Sequence, residues 1–170
     1  MSWLRNRYII LFLMGGSVIV LDQLTKIWID HSMRLYAKKV IIPGVLDLFY
    51  IRNTGAAFGF LSGSHSAFRI PFFVGISVIA IAIILYLFYK MDESEFMVPI
   101  ALSLVLGGAI GNLIDRIRLG EVIDFMYFHY KSFAWPAFNV ADIAITLGVF
   151  LLILRMFFLE KKHEPEIPSP

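Results

Sequence analysis

The chain has 170 residues, 59% of them hydrophobic and only 16% charged, where soluble domains carry about 25% charge. One domain of this length could not hide so much apolar surface from water, which leaves the bilayer as its solvent. A net charge of +2 without a basic, aromatic-studded run gives no footprint for nucleic acid, and the lack of cysteine excludes disulfides, thiol nucleophiles and thiolate metal sites.

Four stretches approach the roughly 20 residues needed to cross a hydrocarbon core: Tyr8–Ile29, Phe68–Tyr89, Phe96–Ile114 and Ala137–Leu159. Arg5 and Arg7 before the first resemble the basic start of a secretory leader. The apolar run from Tyr8 to Leu21, however, meets no small-x-small cleavage site and continues into Asp22, Lys26 and Trp28, which reads as a retained helix. After it, Ser32–Lys39 is expected as a short interfacial helix. The β-branched and aromatic runs of Val40–Ile51 around Pro43-Gly44 predict a hairpin. Its apolar character on an outside loop predicts that it rests on the membrane and covers a site. Lys90–Glu95 is a tight polar turn, Asp115–Pro136 is a second long connection, and the proline-rich tail at about 163–170 is expected to be disordered. The expected fold class is membrane all-α: one domain over 1–170, with four transmembrane helices, a small extracytoplasmic β-hairpin or cradle and the short interfacial helix.

An even number of crossings puts Asp30–Ala67 and Asp115–Pro136 on one side. The basic residues Arg5, Arg7, Lys90, Arg155, Lys161 and Lys162 are denser on the other. By raw count the long segments hold more, but by density the termini are cytoplasmic.

Carboxylates at membrane depth call for a reason, and Asp22, Asp115, Asp124 and Asp142 qualify. Asp142 follows Asn139, an N-cap candidate, so it reads either as a dipole-stabilised helix cap or as a working acid. Asp124, in Val122-Ile123-Asp124-Phe125, reads either as a loop aspartate in water or as a desolvated acid. Together at one membrane face they meet the requirement for splitting an amide with water: one carboxylate ionised, its partner protonated. Asp142, at a helix N-terminus, is the expected ionised member, and Asp124, among apolar neighbours, the expected proton holder. Asp22 and Lys26, four apart on a helix, read as a structural ion pair. Asp115-Arg116 reads as an interfacial anchor or as a holder of a carbonyl or phosphate oxygen. Gly107-x-x-x-Gly111 reads as close helix packing, Asn112 as a displaced strong donor, and Asn53-Thr54-Gly55 as a turn. His31, His65, His129 and His163 are scattered without ligand spacing, so no metal site is expected, and neither HExxH nor GxSxG occurs. No cofactor is expected.

Five blocks, in order, give the chain a family resemblance: Asp22-Gln23-Leu24-Thr25-Lys26, Asn53-Thr54-Gly55-Ala56-Ala57-Phe58, Gly107–Arg116, Val122–Phe125 and Phe138–Asp142. Singly each is weak; as an ordered set the chain resembles the lipoprotein signal peptidases, or signal peptidase II. The resemblance implies that Asp124 and Asp142 are a catalytic dyad and that Asn53, Gly55, Asn112, Arg116 and Asn139 bind substrate. Asp22, Lys26, Gly108 and Asp115 would support them. It also implies diacylglyceryl-modified prolipoproteins as substrates, cut just before the lipidated cysteine. The implied setting is the bacterial inner membrane, with the site at the outer leaflet, membrane lipids around a monomer, and sensitivity to globomycin-like cyclic peptides. Two other classes compete: a proton-coupled transporter, whose carboxylates should lie near the bilayer midplane, and a scaffold in which the aspartates only cap and anchor.

Overall fold

Apolar residues run all round each long stretch, and a backbone without water must satisfy its polar groups internally, so helices form. The computed structural model describes residues 7–55, 66–91 and 96–160. Within them four helices are long and apolar enough to cross a membrane: α1 (Arg7–Ser32), α2 (Ser66–Lys90), α3 (Met97–Leu119) and α4 (Val140–Glu160). α3 runs past Ile114 because nothing breaks it before Gly120. That glycine sits at φ 72° and donates its N–H to Arg116 O at 3.1 Å, a left-handed stop that glycine adopts without Cβ strain. α4 starts three residues later than expected, since Phe138 is bridged to Met126 and Asn139 caps the helix. The tail at 163–170 lies outside the described residues, as do residues 92–95 of the expected polar turn.

α3 is the central post, with 56% of its membrane-length stretch buried against 17% for each other span. Its glycines explain how. A Cβ on Gly107 would stand 2.7 Å from Gly15 O and 2.8 Å from Val18 Cβ of α1, while one on Gly108 would collide with Ala141 O of α4. Two neighbouring small residues thus let two helices approach on different sides. On the α1 side the approach falls at a π-helical turn, Leu11–Gly15.

The two long connections build one four-stranded antiparallel sheet in the order β1 (Lys38–Ile42), β2 (Leu46–Asn53), β3 (Val122–Tyr130), β4 (Phe133–Ala134). The expected hairpin is β1–β2, turning at Gly44 with φ 74°. β3, which sequence patterning did not mark as a strand, pairs with β2 so that Ile51 faces Asp124 and Asn53 faces Val122, with a register shift between Leu48 and Ile51. Ile29, Tyr50, Ile123 and Phe125 form a core that seats the sheet on the bundle. Polar ties reinforce it. Arg52 and the Tyr50 hydroxyl both donate to Asp30 near the end of α1, and Lys38 and His129 each lie 2.7 Å from Asp47.

The short helix expected over Ser32–Lys39 is not there. Met33 is extended at φ −124°, ψ 145°. Tyr36 N donates to Tyr50 O, and Ala37 O accepts from Tyr50 N. Those peptide groups are spent on β2 before a helical turn can claim them, and Lys38 and Lys39 open β1.

Because one sheet holds both long connections, they share a side. Reporter fusions after Lys90 and after Lys131 are expected to show opposite sidedness; equal sidedness would refute this topology. Gly108→Val should lower the thermal unfolding midpoint in detergent, an overpacking penalty of about 1–3 kcal/mol.

Candidate active site

Asp124 comes from β3 and Asp142 from the first turn of α4. β3 enters the bundle at its first residues, so Val122 to Phe125 are buried on both faces and Asp124 is 2% exposed. Asp142 is placed by a reciprocal cap: Asp142 N donates to Asn139 Oδ1 at 2.9 Å, and Asn139 N donates to Asp142 Oδ2 at 3.2 Å. Asn139 is therefore the N-cap that its position suggests, and it also does more. Its Nδ2 donates to Asp124 Oδ1 at 2.7 Å and to Asn112 Oδ1 at 3.2 Å. Asn112 Nδ2 donates in turn to Asp142 Oδ1 at 2.9 Å. Asn53, diagonal to Asp124 across the β2–β3 ladder, donates to Asp124 Oδ2 at 2.9 Å, while its own Oδ1 accepts from Gly55 N at 3.0 Å. The two carboxylates thus share one web of amides, and the expected turn at Asn53 is what aims its side chain.

Asp124 is the acid whose titration the surroundings shift. Burial, and then the Asp142 charge, push the Asp124 carboxyl up to about 7 against the pull of the Asn53 and Asn139 donors and of Lys26. Arg116 lies within Coulombic reach of Asp142 and Asp124. Its guanidinium rests 5.6 Å from the Phe73 ring and, among the described residues, donates only to Asn112 O, at 3.3 Å. It therefore presents unspent donors beside the acids. A groove of about 280 Å³ opens on Asp142 between Trp135, Phe138, Ile143, Thr146 and Leu147.

Behind the pair, Lys26 is 1% exposed and bridges Asp22 at 2.8 Å and Asp115 at 2.9 Å. Asp115 lies buried within α3, where it also accepts from Ile123 N at 3.2 Å. Asp22 Oδ1 accepts from Ala141 N at 2.9 Å. Gly111 provides the room, since a Cβ there would stand 2.6 Å from Asp22 Oδ2. Gln23, given no role from sequence, donates to both Asp22 and Asp115; an amide beside an aspartate inside a span was the available signal. Trp135 and Phe138, which line the groove, carry no distinguishing pattern in the sequence. Ala56 to Phe58 of the Asn53 block lie outside the described residues.

The arrangement suits acid–base hydrolysis: two carboxyls in one amide web, one of them held toward its protonated form, fixed donors, and an apolar groove beside Asp142. It also sets a stability signature. A folded-state value above the unfolded one means the native protein keeps its proton while the unfolded chain has lost it. Stability therefore falls as pH rises from about 4 to about 7. Asp124→Asn should remove that slope and raise stability at pH 8 by up to a few kcal/mol, seen as a higher unfolding midpoint. Thermal scans in detergent from pH 4 to 8 check it, and an unchanged slope would count against the buried-acid assignment.

Comparison with known proteins agrees along the chain. The family model described as Signal peptidase (SPase) II matches residues 14–158. The lipoprotein signal peptidase of Geobacter sulfurreducens is 47% identical over 147 residues, covering 86% of this chain and 91% of the relative. That of Syntrophus aciditrophicus is 46% identical over 155 residues, covering 91% and 96%. A solved structure described as a bacterial membrane enzyme superposes with a TM-score of 0.81 at 33% identity, covering 94% of this chain and 93% of that one. With its four spans, its antiparallel sheet and these relatives, the chain belongs to the signal peptidase II family.

Proposed function

We propose that this protein is an aspartic endopeptidase that removes the signal peptide of diacylglyceryl-modified prolipoproteins, cutting just before the lipidated cysteine. The observation that carries this reading is the Asp124–Asp142 pair. Two carboxyls from different elements share one amide web, and one of them is pushed up to about 7.

At rest the pair holds one proton, on Asp124, while Asp142 is ionised. Asp142 takes a proton from water as the water attacks the scissile carbonyl. Asp124 donates its proton to the carbonyl oxygen, and a gem-diol forms between the acids. Collapse of the diol passes a proton to the leaving nitrogen, so no acyl-enzyme arises. Arg116 and Asn112 hold the substrate backbone, and Asn53, Gly55 and Asn139 keep the acids aimed. The groove beside Asp142 admits an apolar chain. The β1–β2 hairpin, whose Val40, Ile41 and Ile42 are exposed, lies on the outer leaflet and limits water at the site. The termini are cytoplasmic, the enzyme works as a monomer in the inner membrane, and globomycin-like cyclic peptides compete for the same space.

Asp124→Asn and Asp142→Asn keep the side-chain shape but not the acid–base pair. Each should abolish cleavage of lipidated precursor on a gel-shift assay while the protein stays folded, and the double variant should be hardly worse than either single one. Activity in the native enzyme should be bell-shaped in pH. It falls at low pH when both acids are protonated and at high pH when both are ionised, with the alkaline limb near the Asp124 value of about 7. EDTA and serine-directed reagents should change nothing. Near-normal turnover in a folded single variant would overturn the mechanism.

A further inference from the structure

The Lys26 ammonium has three N–H donors and uses three acceptors: Asp22 at 2.8 Å, Asp115 at 2.9 Å and Asn112 Oδ1 at 3.0 Å. Two carboxylates already exceed its single charge, so neutralising them gives no reason to turn the third N–H to a neutral amide. The third bond has a consequence instead. Asn112 Oδ1 receives Lys26 Nζ on one side and Asn139 Nδ2 on the other. Flipping that amide would set its NH2 against an ammonium and another NH2, with no acceptor for either. The flip is closed, and Asn112 Nδ2 is obliged to face Asp142 Oδ1.

Resting on the peptidase reading above, we propose that Lys26 is a positioning residue: through Asn112 it locks the donor that holds Asp142, and so sets the protonation balance of the aspartate pair. The geometry singles Lys26 out among the charged groups on the elements around that pair. From α1 come Lys26 and Asp22; from α3 come Asp115 and Arg116. β2 supplies the neutral amide of Asn53, its ions Asp47 and Arg52 being engaged by Lys38 and His129 and by Asp30. Of these groups only Lys26 donates to the amide that in turn donates to Asp142. Its positive charge also favours the ionised form of Asp124. Removing Lys26 should therefore move the alkaline limb of the pH profile toward higher pH, because Asp124 then keeps its proton longer.

The test uses the full chain in detergent with lipidated precursor, and follows the pair's titration independently by NMR of 13C-labelled aspartate carboxyls. Lys26→Met alone strands two buried carboxylates, so it is combined with Asp22→Asn, which leaves the Lys26–Asp22–Asp115 cluster at its native formal charge. The double variant should lose kcat on the order of tenfold with KM little changed, and the alkaline limb should move up in pH. Asp22→Asn alone keeps the Lys26–Asn112 bond; it should be less stable but hold the native limbs. Asn112→Ala leaves the ion cluster whole and cuts the link, so it should move the alkaline limb as the double variant does. A folded double variant with native kcat and native limbs overturns the proposal. If the double variant does not fold, Lys26→Leu combined with Asp22→Asn decides in its place, native kcat and native limbs there being equally fatal. Should the native protein fail to cut lipidated precursor, the peptidase reading falls while the carboxyl titrations still score the role of Lys26.

Discussion

A buried ammonium is tolerated only where its donors are all used, and here that condition ties the whole structure together. Lys26 of α1 binds Asp22 on its own helix and both Asp115 and Asn112 on α3. Each carboxylate then reaches one element further. Asp22 accepts from Ala141 N at the start of α4, and Asp115 accepts from Ile123 N at the start of β3. Four elements meet around one charge, and the residues next to those last two contacts are Asp142 and Asp124. The aspartate pair stands where it does because the chain on either side is pinned to this cluster.

The cluster carries more negative than positive charge, and the surplus is spread over donors rather than neutralised. Gln23 bridges Asp22 and Asp115, and two backbone N–H groups complete their shells. Breaking such a network by removing one partner leaves an uncompensated buried charge, a loss of about 3–5 kcal/mol. Room for it comes from glycine. Gly111 lets the Asp22 carboxylate lie against α3, as Gly107 and Gly108 let α1 and α4 close on it.

The two members of the pair differ in setting as well as in charge. Asp142 sits on a helix N-terminus next to a groove, with the donors of Asn112 and of Asn139 N upon it. Asp124 sits in a strand among Val122, Ile123 and Phe125, out of water, and is driven toward its protonated form. Desolvation and the neighbouring Asp142 charge hold Asp124 toward its protonated form, the state a proton donor needs. Neither setting exists in an isolated helix or strand. The sheet must be seated on the bundle by Ile29, Tyr50, Ile123 and Phe125 before Asp124 is dry.

Much of this was legible in the chain itself, where the physics is local. Apolar residues all round a stretch of some 20 residues can only be a buried or membrane helix; Pro43-Gly44 between β-branched runs turns a hairpin; Asn139 three residues before Asp142 caps a helix. The Asp22–Lys26 pair, one helical turn apart, was equally readable. Where pairing partners lie far off, local pattern failed. Ser32–Lys39 gives up its helix because Tyr36 and Ala37 bond to Tyr50, and β3 is a strand because β2 lies beside it. Nothing near Asp115 in the chain announces Lys26, which lies against it from another helix. The bond from Lys26 to Asn112 joins residues 86 apart, and that from Ala141 to Asp22 joins residues 119 apart. Composition and periodicity determined that the chain lives in a membrane and which polar residues were out of place there. Only the tertiary structure decided which of them touch and which is dry, because burial and Coulomb energy depend on distance in space and not along the chain.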